Sequence, residues 1–235
     1  YPIALALGMA TVLSSTDRFM IAYFMDEAAV GAYHASYSIA NRTLDIMFIW
    51  LGAAGVPALI AALEKGGAQA LEEAAHEQAR TLMLITMPAA VGVALVAQPL
   101  AGLLIGPALR HEAASITPMI AIASFLAGLL YYYFNQAFVL AKRTDLLLVT
   151  MAFPAISNVI FNIILIPLMG LYGAAVATVL GFVVAIIASV LIAKSHITMP
   201  VPYKAIAQCA LCCLLMAGAV LALPKMHGLA DLLVS

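Results

Sequence analysis

Asn158-Val159-Ile160-Phe161-Asn162, then Ile166-Pro167, then Gly170-Leu171-Tyr172-Gly173-Ala174-Ala175-Val176-Ala177-Thr178, form the stretch from which the rest of the chain is read. It lies within Leu146–Ala193, a run with no charged side chain. A helix needs about 20 residues to cross the hydrocarbon core of a bilayer. The run is therefore long enough for two crossings, and Met169-Gly170 supplies a tight turn between them. Gly173, Ala174, Ala175 and Ala177 give the second helix a small-residue surface on which a neighbour packs closely. Asn158 and Asn162, at i and i+4, share one face of the first helix and are placed to hydrogen-bond an adjacent helix.

The whole composition agrees. Hydrophobic residues make up 66% of the chain and charged residues 9%, against roughly 25% charged in an average soluble domain. Mean hydropathy is +1.11. Net charge is −1 and no basic run is present, so no nucleic-acid partner is expected. The fold class read from this is all-α, a polytopic membrane protein. Seven apolar segments follow from charged and Gly/Pro punctuation: approximately Tyr1–Met25, Val30–Leu63, Thr81–Ile105, Ala113–Ala141, Leu146–Pro167, Leu171–Ala193 and Tyr203–Leu223. The runs are continuous rather than alternating, which argues against strands. Pro57, Pro88, Pro118 and Pro154 fall inside these segments and are consistent with bent helices around a cavity.

Lys65, Arg80, Lys142, Arg143, Lys194 and Lys204 fall in loops on one side, and Arg110 and Lys225 on the other. The positive-inside rule then puts the first crossing outward from the cytoplasm. Glu64–Arg80 is the one substantial polar connection. Gly66-Gly67 breaks the preceding helix, and Ala68–Arg80 reads as a short surface helix with a Glu77–Arg80 pair. The chain starts without Met and stops shortly after entering a new apolar run, which reads as a piece of a longer protein. Cys209, Cys212 and Cys213 share a helical face without a nearby His or carboxylate, and read as small packing residues. No metal and no cofactor is expected.

Two polar clusters stand out inside apolar segments. Ser14-Ser15-Thr16-Asp17-Arg18 lies in the first and Asn41-Arg42-Thr43-Leu44-Asp45 in the second. A charge at the centre of a spanning helix costs about 2.5–3.5 kcal/mol on insertion scales. Such residues face protein or a watery cavity and are functional candidates by default. Gly8, Thr11, Ser15, Arg18 and Ala22 form one face of the first helix; His34, Ser38, Asn41 and Asp45 form one face of the second. Asp17 sits at the edge of the first stripe, about 100° from Arg18. Arg42 and Asp45 are spaced for an intrahelical ion pair. The substrate-binding candidates are Arg18, Asp17, Ser15, Asn41, Arg42 and Asp45, with Asp17 and Asp45 also candidates for coupling to a proton or sodium gradient. Arg18 leads, because a guanidinium fork matches phosphate oxygens. Tyr131-Tyr132-Tyr133 reads as a set of interfacial anchors or, alternatively, as sugar-stacking platforms.

The succession of motifs resembles the C-terminal half of bacterial polysaccharide exporters, lipid-linked oligosaccharide flippases of the superfamily that includes the MATE drug exporters. Asp17-Arg18-Phe19, Val30-Gly31-Ala32-Tyr33, Pro57, Pro88, Leu104-Ile105-Gly106-Pro107 and the 158–178 stretch carry that resemblance. It implies a MATE-like helical lobe over 1–194, with 195–235 supplying a further helix and the start of a last one. It also implies a missing N-terminal lobe of the same protein, a polyprenyl-pyrophosphate glycan as substrate, alternating access, and the bacterial cytoplasmic membrane. Catalysis is not expected: no metalloprotease, hydrolase or nucleotide-binding pattern occurs. The alternatives are a drug/cation antiporter or lipid II flippase of the same superfamily, a membrane glycosyltransferase or polymerase, and a structural membrane subunit.

Overall fold

The computed structural model describes residues 15–197 and 199–222, and these are helical apart from short connections. The elements are α1 (residues 15–24), α2 (Glu27–Leu95), α3 (Ala97–Leu104), α4 (Pro107–Leu129), a π-helical turn (Leu130–Phe134), α5 (Gln136–Leu140), α6 (Asp145–Ala193) and α7 (Tyr203–Ala222). Among the described residues four helices are long and apolar enough to cross a membrane: Glu27–Leu95, Pro107–Leu140, Asp145–Ala193 and Tyr203–Val220. The chain is a multi-pass membrane protein.

Two of these four are bent back on themselves. Gly67 (φ 67°, ψ −153°) and Gly170 (φ 59°, ψ −139°) leave the helical path through a backbone region that only glycine enters at little cost. Across the first break, Gly55 lies against Gln78. Across the second, a Cβ at Gly181 would sit 3.4 Å from that of Asn158. The two arms of α2, and likewise of α6, therefore run antiparallel. The turn expected at Met169-Gly170 is present. The separate surface helix expected over Ala68–Arg80 is not: from Gly67 onward the helix continues unbroken into the next apolar segment. Leu71, Ala75 and Ala79 are buried with Leu59 of the opposite arm, so tertiary packing holds that stretch straight. Glu77 and Arg80 do pair, at 4.0 Å and largely exposed.

Local sequence explains the other boundaries. Asp26 caps α2 by accepting the Ala29 N–H at 2.8 Å, with Glu27 in the first turn, the arrangement that satisfies and neutralises a helix N-terminus. Pro107, after Gly106, opens α4 where its missing N–H is harmless. In the π-helical turn the Asn135 N–H reaches Leu130 O at 2.9 Å, while the Gln136 side chain donates to Tyr131 O at 3.1 Å. That side-chain bond satisfies a carbonyl in the widened turn, as backbone accounting inside a bilayer demands.

The connections segregate to two ends. At one, Tyr133 donates its hydroxyl to Pro200 O at 2.6 Å, with Ala75 O at 3.2 Å. There Arg143 also meets His196 at 3.3 Å. At the other, Gly31 packs on Leu109, and Gly170 lies against Met25. The basic residues Lys65, Lys142, Arg143, Lys194 and Lys204 gather at the first end. Among the described residues three apolar clusters fill the bundle, the smallest around Ala127, Leu130 and Phe182, and the two larger share α2. One takes Tyr33 and Ala40 from α2 with Ile116, Ile120 and Ile166. The other takes Leu44 and Phe48 from α2 with Leu82, Tyr133, Phe138 and Cys209. They divide along α2 between Ala40 and Leu44, where Asn41 begins its polar cluster. Cys209 and Cys213 of α7 are buried and Cys212 is exposed.

Candidate functional site

A cavity of about 480 Å³ opens at that division. Helix α1 contributes Asp17 and Arg18, and α2 contributes His34, Tyr37, Ser38, Asn41, Arg42 and Asp45. Ala127 of α4 and Tyr131 and Tyr132 of the π-helical turn form another wall. The arms of α6 close the site with Pro154, Asn158, Thr178, Gly181 and Phe182. All four residues of the His34–Asp45 stripe thus face one space. Of the first stripe, Arg18 lines it and Ser15 is half-buried nearby in sequence but is not a lining residue. Gly8 and Thr11 lie outside the described residues.

Asp17 is 3% exposed and holds four helical segments together. Its Oδ1 accepts from Asn162 Nδ2 at 2.8 Å. Its Oδ2 accepts from the Tyr33 hydroxyl at 3.0 Å and lies 3.3 Å from Thr178 Oγ1. Tyr33 and Thr178 are themselves 3.0 Å apart, and Thr178 also reaches Ala174 O at 2.9 Å. An ionised carboxylate only accepts, so it fixes the Asn162 amide with nitrogen toward Asp17. The second proton of that nitrogen goes to Asn158 Oδ1 at 3.0 Å. This leaves Asn158 Nδ2 and Asn162 Oδ1 buried without a hydrogen bond.

Arg18 is the opposite case. Its Nε is buried and has no hydrogen-bond partner, and Arg18 takes part in no ion pair among the described residues. Asp45 accepts from Asn41 Nδ2 at 2.9 Å. The ion pair expected between Arg42 and Asp45 does not form among the described residues: Asn41, one turn before Asp45 on the same face, takes the carboxylate, and Arg42 is exposed. The cavity therefore presents an uncommitted guanidinium beside a second, exposed one.

Sequence reasoning left Tyr33, Thr178, Asn158 and Asn162 out of the candidate site, although it placed the two asparagines on one face to hydrogen-bond an adjacent helix, as Asn162 does. Each stood in a quoted motif, but the signal of a motif is local, and Tyr33, Asn162 and Thr178 meet Asp17 across 16 to 161 residues of chain. The tyrosines differ from the anchor reading as well. Tyr131 and Tyr132 line the cavity, whereas Tyr133 is buried at 1% exposure. Tyr132 stacks on Phe48 with ring centroids 5.9 Å apart, in space that Gly52 and Gly128 leave open: a Cβ on either would collide with those rings. No group of three or more His, Cys, Asp or Glu residues suited to a metal occurs among the described residues.

The model of the family described as polysaccharide biosynthesis protein matches residues 3–114, the portion carrying Asp17, Arg18 and the whole second stripe. A probable low-salt glycan biosynthesis flippase of Haloferax volcanii is 23% identical over 218 residues. Together these matches support a polysaccharide flippase-type family. The alignment with the archaeal flippase covers 92% of this chain but 45% of that protein, so this chain spans less than half its relative's length. No solved structure matches.

Proposed function

We propose that this chain forms one lobe of a membrane transporter that flips a lipid-linked oligosaccharide for cell-surface polysaccharide synthesis, and that it is not itself an enzyme. The observation carrying the reading is Arg18, whose buried Nε faces no protein acceptor at a 480 Å³ cavity inside a membrane-spanning bundle. An unsatisfied buried polar group costs about 1–3 kcal/mol, and a pyrophosphate oxygen would satisfy it with a charge-assisted bond. Tyr131, Tyr132 and Phe182 on the facing wall offer aromatic surface to sugar rings, while a polyprenyl tail remains in lipid.

In this reading the chain crosses seven times: through the apolar segment Tyr1–Met25, each arm of α2, α4 with α5, each arm of α6, and α7. Residues 1–194 form a MATE-like lobe and 195–235 an added segment. A second lobe of the same protein faces the cavity, and access alternates between the two membrane sides. The basic end faces the cytoplasm of a bacterial cell. Asp17 and Asp45 are the groups through which a proton or sodium gradient would couple. Arg42 and Asn41 extend the anion site from α2.

The test is Arg18→Ala in the full-length protein, reconstituted with a polyprenyl-pyrophosphate glycan. Losing a hydrogen bond to a charged group is worth about 1.5–3 kcal/mol, so flipping should fall roughly 10- to 100-fold at equal protein level. Unchanged flipping removes Arg18 as the phosphate ligand. Export of amphipathic cations that survives Arg18→Ala would favour the antiporter instead.

A further inference from the structure

We propose that the basic end of the bundle holds an anionic phospholipid, its phosphate on Lys194 and one acyl chain in a slot between α6 and α7. A second cavity, of about 210 Å³, lies there, separate from the transport cavity. Its walls are apolar: Phe134 from the π-helical turn, Val190 from α6, and Met199 and Val201 from the connection to α7. The hydroxyl of Ser189 inside it is engaged with Asn135 Oδ1 at 3.1 Å. The slot thus offers a chain of methylenes a dry surface rather than a hydrated one.

Charge decides what kind of lipid. Lys194 lines the slot and is exposed. It is the first charged residue after the uncharged run Leu146–Ala193, which puts its ammonium where the hydrocarbon layer ends. His196 and Lys204 are exposed close by in sequence, and Arg143 approaches His196 at 3.3 Å. Asp145, beside Arg143, is engaged by it at 2.9 Å, and Glu72, Glu73 and Glu77 of this end lie on α2 around Ala75. No carboxylate lines the slot. Tyr203, 75% exposed at the start of α7, stands at the mouth as an interfacial ring. A basic pocket between spanning helices, with an apolar slot beneath it, is the arrangement that selects a net-negative headgroup over a zwitterionic one. The site is independent of whatever the transport cavity carries.

The test uses the full-length protein in phosphatidylcholine nanodiscs containing a small fraction of photoactivatable phosphatidylglycerol or, in parallel, photoactivatable phosphatidylcholine with the same acyl chains. Phosphatidylglycerol should label the 189–203 segment about fivefold more than phosphatidylcholine. Lys194→Gln should bring that ratio close to one, while Lys194→Arg keeps it. Val190→Trp, which fills the slot, should remove phosphatidylglycerol labelling without altering flipping through the Arg18 cavity. Equal labelling by the two lipids in the unaltered protein overturns the proposal. A preference that survives Lys194→Gln, or labelling that survives Val190→Trp, overturns it too.

Discussion

Asp17 and Arg18 are joined by one peptide bond, yet their surroundings differ in kind. The carboxylate of Asp17 is met by Tyr33, Asn162 and Thr178. The guanidinium of Arg18 borders a cavity with its Nε unpartnered. A helix turns about 100° per residue, enough to set one side chain among protein donors in the cavity wall and leave its neighbour's Nε unpartnered beside it. The comparison separates two uses of buried charge. A charge whose hydrogen bonds are all supplied by protein fixes the fold, and one left wanting is available to a ligand.

The division is broken most easily at Asp17. Asp17→Ala removes the acceptor shared by Tyr33, Asn162 and Thr178; Thr178 keeps Ala174 O and Asn162 keeps Asn158 Oδ1, and each buried donor left unpaired costs about 1–3 kcal/mol. Thermal unfolding of the full-length protein in detergent should therefore move down by many degrees. An unfolding temperature within error of the unaltered protein would show that the network holds nothing together. Arg18→Ala should do the reverse, sparing stability and costing transport. Arg18→Lys should keep the charge but lose the fork, and so give a flipping rate between those of the parent and the alanine variant.

Coupling sharpens the same contrast on a smaller scale. Asp17→Asn and Asp45→Asn should shift the pH or sodium dependence of flipping in at least one case. Profiles that overlay the parent's in both variants take the carboxylates out of coupling. The least effect belongs to Glu77→Gln, which removes an exposed 4.0 Å pair. Such pairs contribute about 0–1 kcal/mol, so its unfolding temperature should stay close to the parent's. A large drop there would mean that the hairpin tip, not the Asp17 network, is the sensitive part of the bundle.

How much of this was legible in the chain follows from the range of each signal. The break at Gly170 was readable because an uncharged run too long for one crossing must turn somewhere. The shared face of His34, Ser38, Asn41 and Asp45 followed from helical spacing alone. Periodicity gives a face but not what the face meets, so Asp17's partners on α6 could not be read from α1. It also assumes a constant period. Leu130–Phe134 winds as a π-helix, which changes the rotation per residue and turns Tyr131 and Tyr132 into the cavity while Tyr133 points to Pro200. The Arg42–Asp45 pair differs for another reason: spacing permits a contact without requiring it, and the partner Asp45 finds is Asn41.

The Asp17 network has a mechanical consequence. Its bonds run from α1 to the first arm of α2 and to both arms of α6. Sliding α1 past the others would break the bonds of Tyr33, Asn162 and Thr178 to Asp17 at once, whereas turning all of them together breaks none of these. The four segments that meet at Asp17 are thus tied into a single stiff body. Whatever opens the space beside Arg18 must swing about the rim of that body rather than bend its interior.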